Sequence, residues 1–359
     1  MKKKITCVLF LSLLFPLTVS AGSSPPKKKK TPPKTSHEAV TDITKVDTDF
    51  WFMGEYTGSV LLGTGECETI GLQVVPLGNG KFSAVEYKGG LPGAGGLKPR
   101  FHMEGERHGD TLVFVSKPLK VTIYNGVATF TIEPQGLQIA HLCKVHRVSP
   151  TLGAPPPPGA VVIFDGTGTS QFKKAKMTSN GLLMAGAEFK KLYRDFYLHL
   201  EFRVPYKPWA RGQARGNSGV YLLSRYEVQI LDSFGKESAF NDCGALYRYK
   251  APDVNMCLPP LTWQTYDIEF TAPRFDANGK KISNARITVC HNGVVIHDNV
   301  EVPNKTGHGE PEGPNLLPIR LQDHGNPVMF RNIWLIDRTR TEEQDNCVPC
   351  QYRCQCQCQ

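Results

Sequence analysis

The chain has 359 residues, 40% hydrophobic and 21% charged, with 34 Gly and 27 Pro; it is too long for one ordinary domain and too apolar for a disordered chain. Its formal charge of +9 suggests a nucleic-acid binder until the charge is located: Lys2, Lys3, Lys4, Lys27, Lys28, Lys29, Lys30 and Lys34 precede residue 35, and without these eight the remainder is close to neutral. A neutral body lacks the basic field that phosphate backbones require, which argues against a dedicated DNA or RNA function.

Residues 1–21 read as a secretory leader: three lysines, an apolar run from Ile5 to Val19, then the small-residue end Val19-Ser20-Ala21. The run is short for a membrane span, and no later segment offers the roughly 20 apolar residues a spanning helix needs. No cysteine stands at the cleavage point, so the expectation is an exported, soluble protein without a lipid anchor, placed in the periplasm, the envelope or outside the cell. Ten of the eleven cysteines follow the leader, in a compartment where disulfides persist. Residues 22–46 are Pro, Lys, Ser and Thr with few apolar side chains, a solvated spacer or a basic arm that touches an anionic envelope polymer.

A first domain is expected over 47–150. Short β-rich runs such as Leu72 to Val75, Thr111 to Val115 and Gly126 to Ile132 alternate with Gly, Asn and Asp turns, and no helical period is present. The run Gly89 to Gly96 lacks the Lys-Ser/Thr ending of a phosphate loop and reads as a turn or bulge. Cys67 and Cys143 are the two cysteines of this domain and a candidate disulfide. The linker 151–159 contains Pro155-Pro156-Pro157-Pro158, which fixes φ, removes backbone donors and marks a domain boundary.

The second domain, 160–338, carries the clearest pattern. In Phe196 to Val204 the apolar residues take every even position, and His199, Glu201 and Arg203 fall on the other side. The same period places Glu227 and Gln229 opposite Val228 and Ile230, and Arg320, Gln322 and His324 together on one side of Pro318 to His324. Asn292-Gly293 between two β-rich runs signals a hairpin, and Trp263 to Phe270 alternates as a further strand. The class is therefore all-β, with a two-sheet sandwich or jelly roll preceded by a smaller β-rich domain. His, Glu, Arg and Gln on strand faces suit the hydrogen bonding of hydroxyls and the movement of protons.

Phe164-Asp165-Gly166, Glu201-Phe202-Arg203, Asn217-Ser218-Gly219-Val220-Tyr221, Tyr226 to Asp232, Cys243-Gly244-Ala245-Leu246-Tyr247, Trp263-Gln264-Thr265-Tyr266, Ile319 to Gly325 and Phe330-Arg331-Asn332-Ile333, in that order, resemble the 3-keto-disaccharide hydrolase family. The resemblance covers roughly half the chain and implies a concanavalin-like β-jelly roll; the two-domain arrangement is similar to planctomycete envelope proteins. It further implies action on a sugar oxidised at C3, where the ketone acidifies the C2 hydrogen so that elimination and hydration replace ordinary hydrolysis. Such a route needs a base near neutral pKa, an enolate stabiliser and a proton donor. The candidates are His324 or Glu227 as base and Arg320 or Arg331 at the enolate oxygen. Gln229, Gln322 and Glu201 are candidate hydroxyl binders, with Arg203, His199, Asn217 and Tyr221 beside them.

A weaker similarity joins Glu227 to Ile230 and Asp232 with the Glu-x-Asp-x-x-Glu strand of bacterial β-glucanases. Gln229 and Asp232 depart from that pattern, and Asp232 reaches the same side as Glu227 only through a bulge. Glu201 with Arg203, and Arg331 with a buried carboxylate, also fit purely structural ion pairs; Trp209 and Trp263 suit either sugar stacking or the core. A divalent metal is compatible with the His and carboxylate content, although no compact ligand motif exists, and no cofactor is evident. Cys243 and Cys257 bracket a loop that a disulfide would staple, and the tail 339–359 holds five cysteines suited to disulfides, including bonds to other chains. Two readings compete with the enzyme: a non-catalytic carbohydrate-binding module and an envelope structural protein.

Overall fold

The computed structural model describes residues 38–96 and 99–339. The expected leader, all but the end of the spacer and the Cys-rich tail beyond residue 339 lie outside the described residues, and so do the roles in export, envelope contact and cross-linking that rest on them.

Eight antiparallel strands close a barrel: Gly54–Leu61, Cys67–Gly78, Lys81–Lys88, Pro99–His108, Thr111–Ser116, Leu119–Tyr124, Val127–Ile132 and Leu137–Val145. Each pairs with the next in sequence, and the last returns to the first. Closure removes sheet edges, and alternation sends Leu72, Phe82, Phe114, Val121, Phe130 and Leu142 into the lumen. Cys67 and Cys143 do not form the expected disulfide; both are exposed free thiols. They lie on strands that flank Gly54–Leu61 on opposite sides, opposite Leu61 and Thr57 respectively. A whole strand separates them, beyond the reach of an S–S bond.

The second body is a concanavalin-like jelly-roll sandwich. One sheet runs Val161–Phe164, Met329–Asp337, Phe196–Arg203, Gln264–Thr271, Ala285–His291, Val294–Val302, and the other Phe172–Lys174, Ala187–Phe189, Arg320–Leu321, Ser218–Leu222, Tyr226–Ile230. The Asn292-Gly293 hairpin forms where its dipeptide predicts, with φ of 51° and 79° at the two central residues. Leu198, Leu200, Phe202, Val220, Val228 and Ile230 fill the space between the sheets at 0% exposure. Cys243 and Cys257, expected as a staple, are buried free thiols: the Cys243 sulfur hydrogen-bonds the Tyr266 hydroxyl at 3.2 Å and the Cys257 sulfur donates to Leu231 O at 3.4 Å.

The barrel leans on the sandwich. Met53 and Val75 join the sandwich core, and Tyr206 of the sandwich bridges to Val40 and donates to Asp47 Oδ1 at 2.8 Å. On the barrel's outer wall, Arg147 donates to both oxygens of Glu55, at 2.7 and 2.6 Å, and Gln73 donates to the same carboxylate at 2.9 Å. The linker is more than a spacer. Before its prolines, Gly153 N donates to Glu201 Oε1 at 2.5 Å and Thr151 Oγ1 donates to Asp267 Oδ2 at 2.7 Å, so this segment roofs the outer side of the larger sheet.

Candidate active site

The outer side of the smaller sheet holds the polar cluster. In Tyr226–Ile230, Tyr226, Val228 and Ile230 enter the core, which leaves Glu227 and Gln229 outward. Register sets Glu227 opposite Tyr221, Gln229 opposite Gly219, and Arg320 on the other flank of Tyr221. The Tyr221 hydroxyl donates to Glu227 Oε2 at 2.8 Å and the Arg320 guanidinium stands 5.1 Å from the Tyr221 ring centre. Gln322 Nε2 donates to the Tyr221 oxygen at 3.4 Å. In the amide orientation that satisfies both its ends, Gln229 donates to Glu227 Oε1 at 3.2 Å and Ser218 O at 2.8 Å. Asn217 donates to Gln213 Oε1 at 2.9 Å, one step further along the same side.

Gly219 is the residue that makes room. A Cβ there would lie 2.4 Å from Glu227 Oε1, so any side chain would expel the carboxylate. A loop covers the cluster from outside: Thr306 Oγ1 accepts from Glu227 N at 2.7 Å, and Gly307 sits against both Glu227 and Tyr247. His308 follows, exposed, with its ring 6.5 Å from that of Tyr247.

Burial decides the electrostatics. Glu227 is 2% exposed, and desolvation pushes its carboxyl up to about 7 against the lowering effects of the Tyr221 hydrogen bond and the Arg320 charge. Burial also raises the Tyr221 hydroxyl far above its ordinary value, with Glu227 adding to the effect, so Tyr221 remains a proton donor. Arg320 Nε and Gln322 Oε1 are buried without a hydrogen-bond partner. Such atoms are costly to leave unpaired and offer a donor and an acceptor to a bound oxygen function.

The other sequence-derived candidates lie elsewhere. His199, Glu201, Arg203 and Arg331 belong to the larger sheet and face outward from it, so the hydrophobic core separates them from Glu227 and Arg320. Glu201 is sealed at 0% exposure. It accepts from Arg331 Nε at 2.6 Å, Asn332 Nδ2 at 2.9 Å and Gly153 N. Desolvation alone would raise its pKa, but hydrogen bonds from His199, Asn332, Gly153 and Arg331 hold it down at about 2. His199 is likewise 0% exposed, bonded through Nδ1 to Asp267 Oδ1 at 2.7 Å and stacked 4.8 Å from Trp334. Burial depresses its pKa, yet the hydrogen bonds and charges of Asp267 and Glu201 outweigh that and raise it. Trp263 is neither core nor open platform: Arg331 and Arg203 stack on it at 4.2 and 5.0 Å. Trp209 lies where the sandwich meets Gly78 of the barrel.

Asp232 stands beyond the end of its strand, where alternation no longer applies, and takes Arg215 Nε at 2.5 Å, so it braces a loop. His324 also falls outside the expected pattern. The strand that was to carry it stops at Leu321, and His324 sits exposed in a turn closed by Gly325 N donating to Asp323 Oδ1 at 2.9 Å. Sequence patterning missed Gln213, Tyr247, Thr306, Gly307 and His308, which come from loops with no period. Among the described residues no group of three or more His, Cys, Asp or Glu side chains converges to hold a metal.

Residues 159–336 match the model of the 3-keto-alpha-glucoside-1,2-lyase-like domain. A solved structure from Parabacteroides distasonis ATCC 8503, provisionally designated a glycosyl hydrolase, is 32% identical over 50% of this chain and 84% of its own, with a TM-score of 0.47. A second structure with that provisional designation, from the same organism, is 16% identical over 50% of this chain and 94% of its own, with a TM-score of 0.37. No curated protein matches the chain.

Proposed function

The chain belongs, through residues 159–336, to the family of 3-keto-alpha-glucoside-1,2-lyase-like domains and is in that sense a carbohydrate-active protein; from this premise we propose that it cleaves 3-keto-glycosides by base-catalysed elimination followed by hydration. The observation that carries the reading is Glu227, a buried carboxyl with a pKa of about 7 beside the Arg320 guanidinium. Elimination needs one such base and a donor at the enolate oxygen, whereas ordinary glycoside hydrolysis uses two carboxyl groups across the bond.

Glu227 takes the C2 proton, and the C–H electron pair moves into an enolate whose oxygen is the former C3 carbonyl. Arg320, with its unpartnered Nε, holds that oxygen, and Gln322, with its unpartnered Oε1, accepts from a sugar hydroxyl. The enolate collapses with loss of the glycosidic oxygen from C1, which takes the proton back from Glu227, and water adds to the enone. In this reading Gln229, Asn217 and Gln213 bind the sugar hydroxyls. Glu227 and Tyr221 are only 2% and 3% exposed, and in this reading the sugar reaches them past the partly exposed Arg320, Gln322 and Tyr247. We further propose export, on the leader-like residues 1–21.

The test is to incubate purified protein with a 3-keto-disaccharide and with its unoxidised parent, following released reducing sugar. The keto substrate alone should turn over, and Glu227→Gln should lower the rate by roughly 10²- to 10⁴-fold. Equal cleavage of the parent, or full activity in Glu227→Gln, would refute the reading.

A further inference from the structure

A cavity of about 200 Å³ opens at one end of the sandwich, walled by Arg194, Leu223, Arg225, Arg274, Phe275 and Asn315 among others. It belongs to neither the Glu227 cluster nor the roofed outer side of the larger sheet. Arg225 is 4% exposed, yet no carboxylate pairs with it among the described residues. Its Nε donates to Pro311 O at 2.8 Å and its Nη1 to Asn315 O at 2.9 Å. Its Nη2, beside Gly313 of the cavity wall, makes no hydrogen bond to the protein among the described residues. A buried guanidinium answered only by carbonyl dipoles is an uncompensated charge, which folded proteins rarely tolerate without a counter-ion.

The neighbouring groups do not supply that counter-ion. Glu312, on the adjoining loop, is taken by the Tyr226 hydroxyl and by Lys281 at 2.6 Å. Asp195 receives both terminal nitrogens of Arg274, at 3.1 and 2.6 Å. Arg194 is exposed and, among the described residues, makes no ion pair or hydrogen bond through its side chain. Three guanidiniums therefore border a small cavity with one carboxylate between them, and the free donors of Arg225 and Arg194 are available to whatever enters. Forked guanidinium donors match planar or tetrahedral oxyanions.

We propose that this cavity binds a compact oxyanion, such as a carboxylate or sulfate, through Arg225 Nη2 and Arg194. The source is either a free anion or an acidic group borne by a sugar. The test follows thermal unfolding and calorimetric binding of the full chain with sodium sulfate and sodium glucuronate, against sodium chloride and glucose at matched ionic strength. A saturable stabilisation by sulfate identifies a free oxyanion as sufficient; one by glucuronate alone identifies a sugar-borne carboxylate. In either case Arg194→Ala, which removes an exposed side chain and leaves melting in chloride unchanged, should weaken binding about tenfold, as expected for one lost charge-assisted hydrogen bond. No saturable effect of either anion beyond that of chloride, or an undiminished response in Arg194→Ala, would overturn the proposal.

Discussion

Glu227 and Gly219 make a unit at the scale of single residues. The alternation of Tyr226–Ile230 predicts that Glu227 leaves the core, and the structure agrees, but the sequence pattern does not show that a loop from residues 304–309 then covers it. That cover raises the pKa. A carboxyl whose pKa is raised from 4.5 to about 7 destabilises the fold progressively as pH climbs through that interval, because ionisation is disfavoured in the folded state. Glu227→Gln should therefore be more stable relative to wild type at pH 8 than at pH 5, measured by urea unfolding at both values. Gly219→Ala should abolish turnover while the circular dichroism spectrum stays native, since the added methyl would meet Glu227 Oε1.

At the scale of elements, strand periodicity reveals which residues share a side of one strand, not which sheet the strand joins. Phe196–Arg203 and Tyr226–Ile230 show the same alternation, yet they lie in different sheets and their polar residues point away from each other across the core. Pairing is non-local, and nothing in the local pattern encodes it. The consequence is a clean division: Arg320→Ala should lose activity with modest effect on stability, and Glu201→Gln should lose about 3 kcal/mol of stability with activity at neutral pH retained, the cost of breaking a buried ion pair. Glu201, held at about 2, contributes stability that is present above its ordinary value of 4.5 and disappears as pH falls towards 2. Acid unfolding of Glu201→Gln should accordingly be shallower across that window than that of wild type. His324 leaves the expected strand for a related reason: alternation extrapolated the short strand Arg320–Leu321 into a turn that Asp323 and Gly325 close.

Across the whole molecule, the all-β class was legible from turn spacing and strand alternation, because both are local signals. Closure of the barrel was not, since it depends on the pairing of Gly54–Leu61 with Leu137–Val145. Nor was the intimacy of the two bodies. Gly235 of the sandwich, at φ 71°, sits so close to Val75 of the barrel that a Cβ would lie 2.3 Å from its Cγ2. Gly235→Ala should lower the melting temperature, and calorimetry of wild type should show one transition in place of two separate ones, since Met53 and Val75 belong to the sandwich core.

Deuterium at C2 tests the chemistry most directly. Cleavage of a 3-keto-disaccharide in D₂O by elimination and hydration must place solvent deuterium at C2 of the released keto sugar, faster than exchange without enzyme, and Glu227→Gln must lose both cleavage and labelling. A released sugar that keeps its original C2 hydrogen would contradict the assignment of Glu227 as the base.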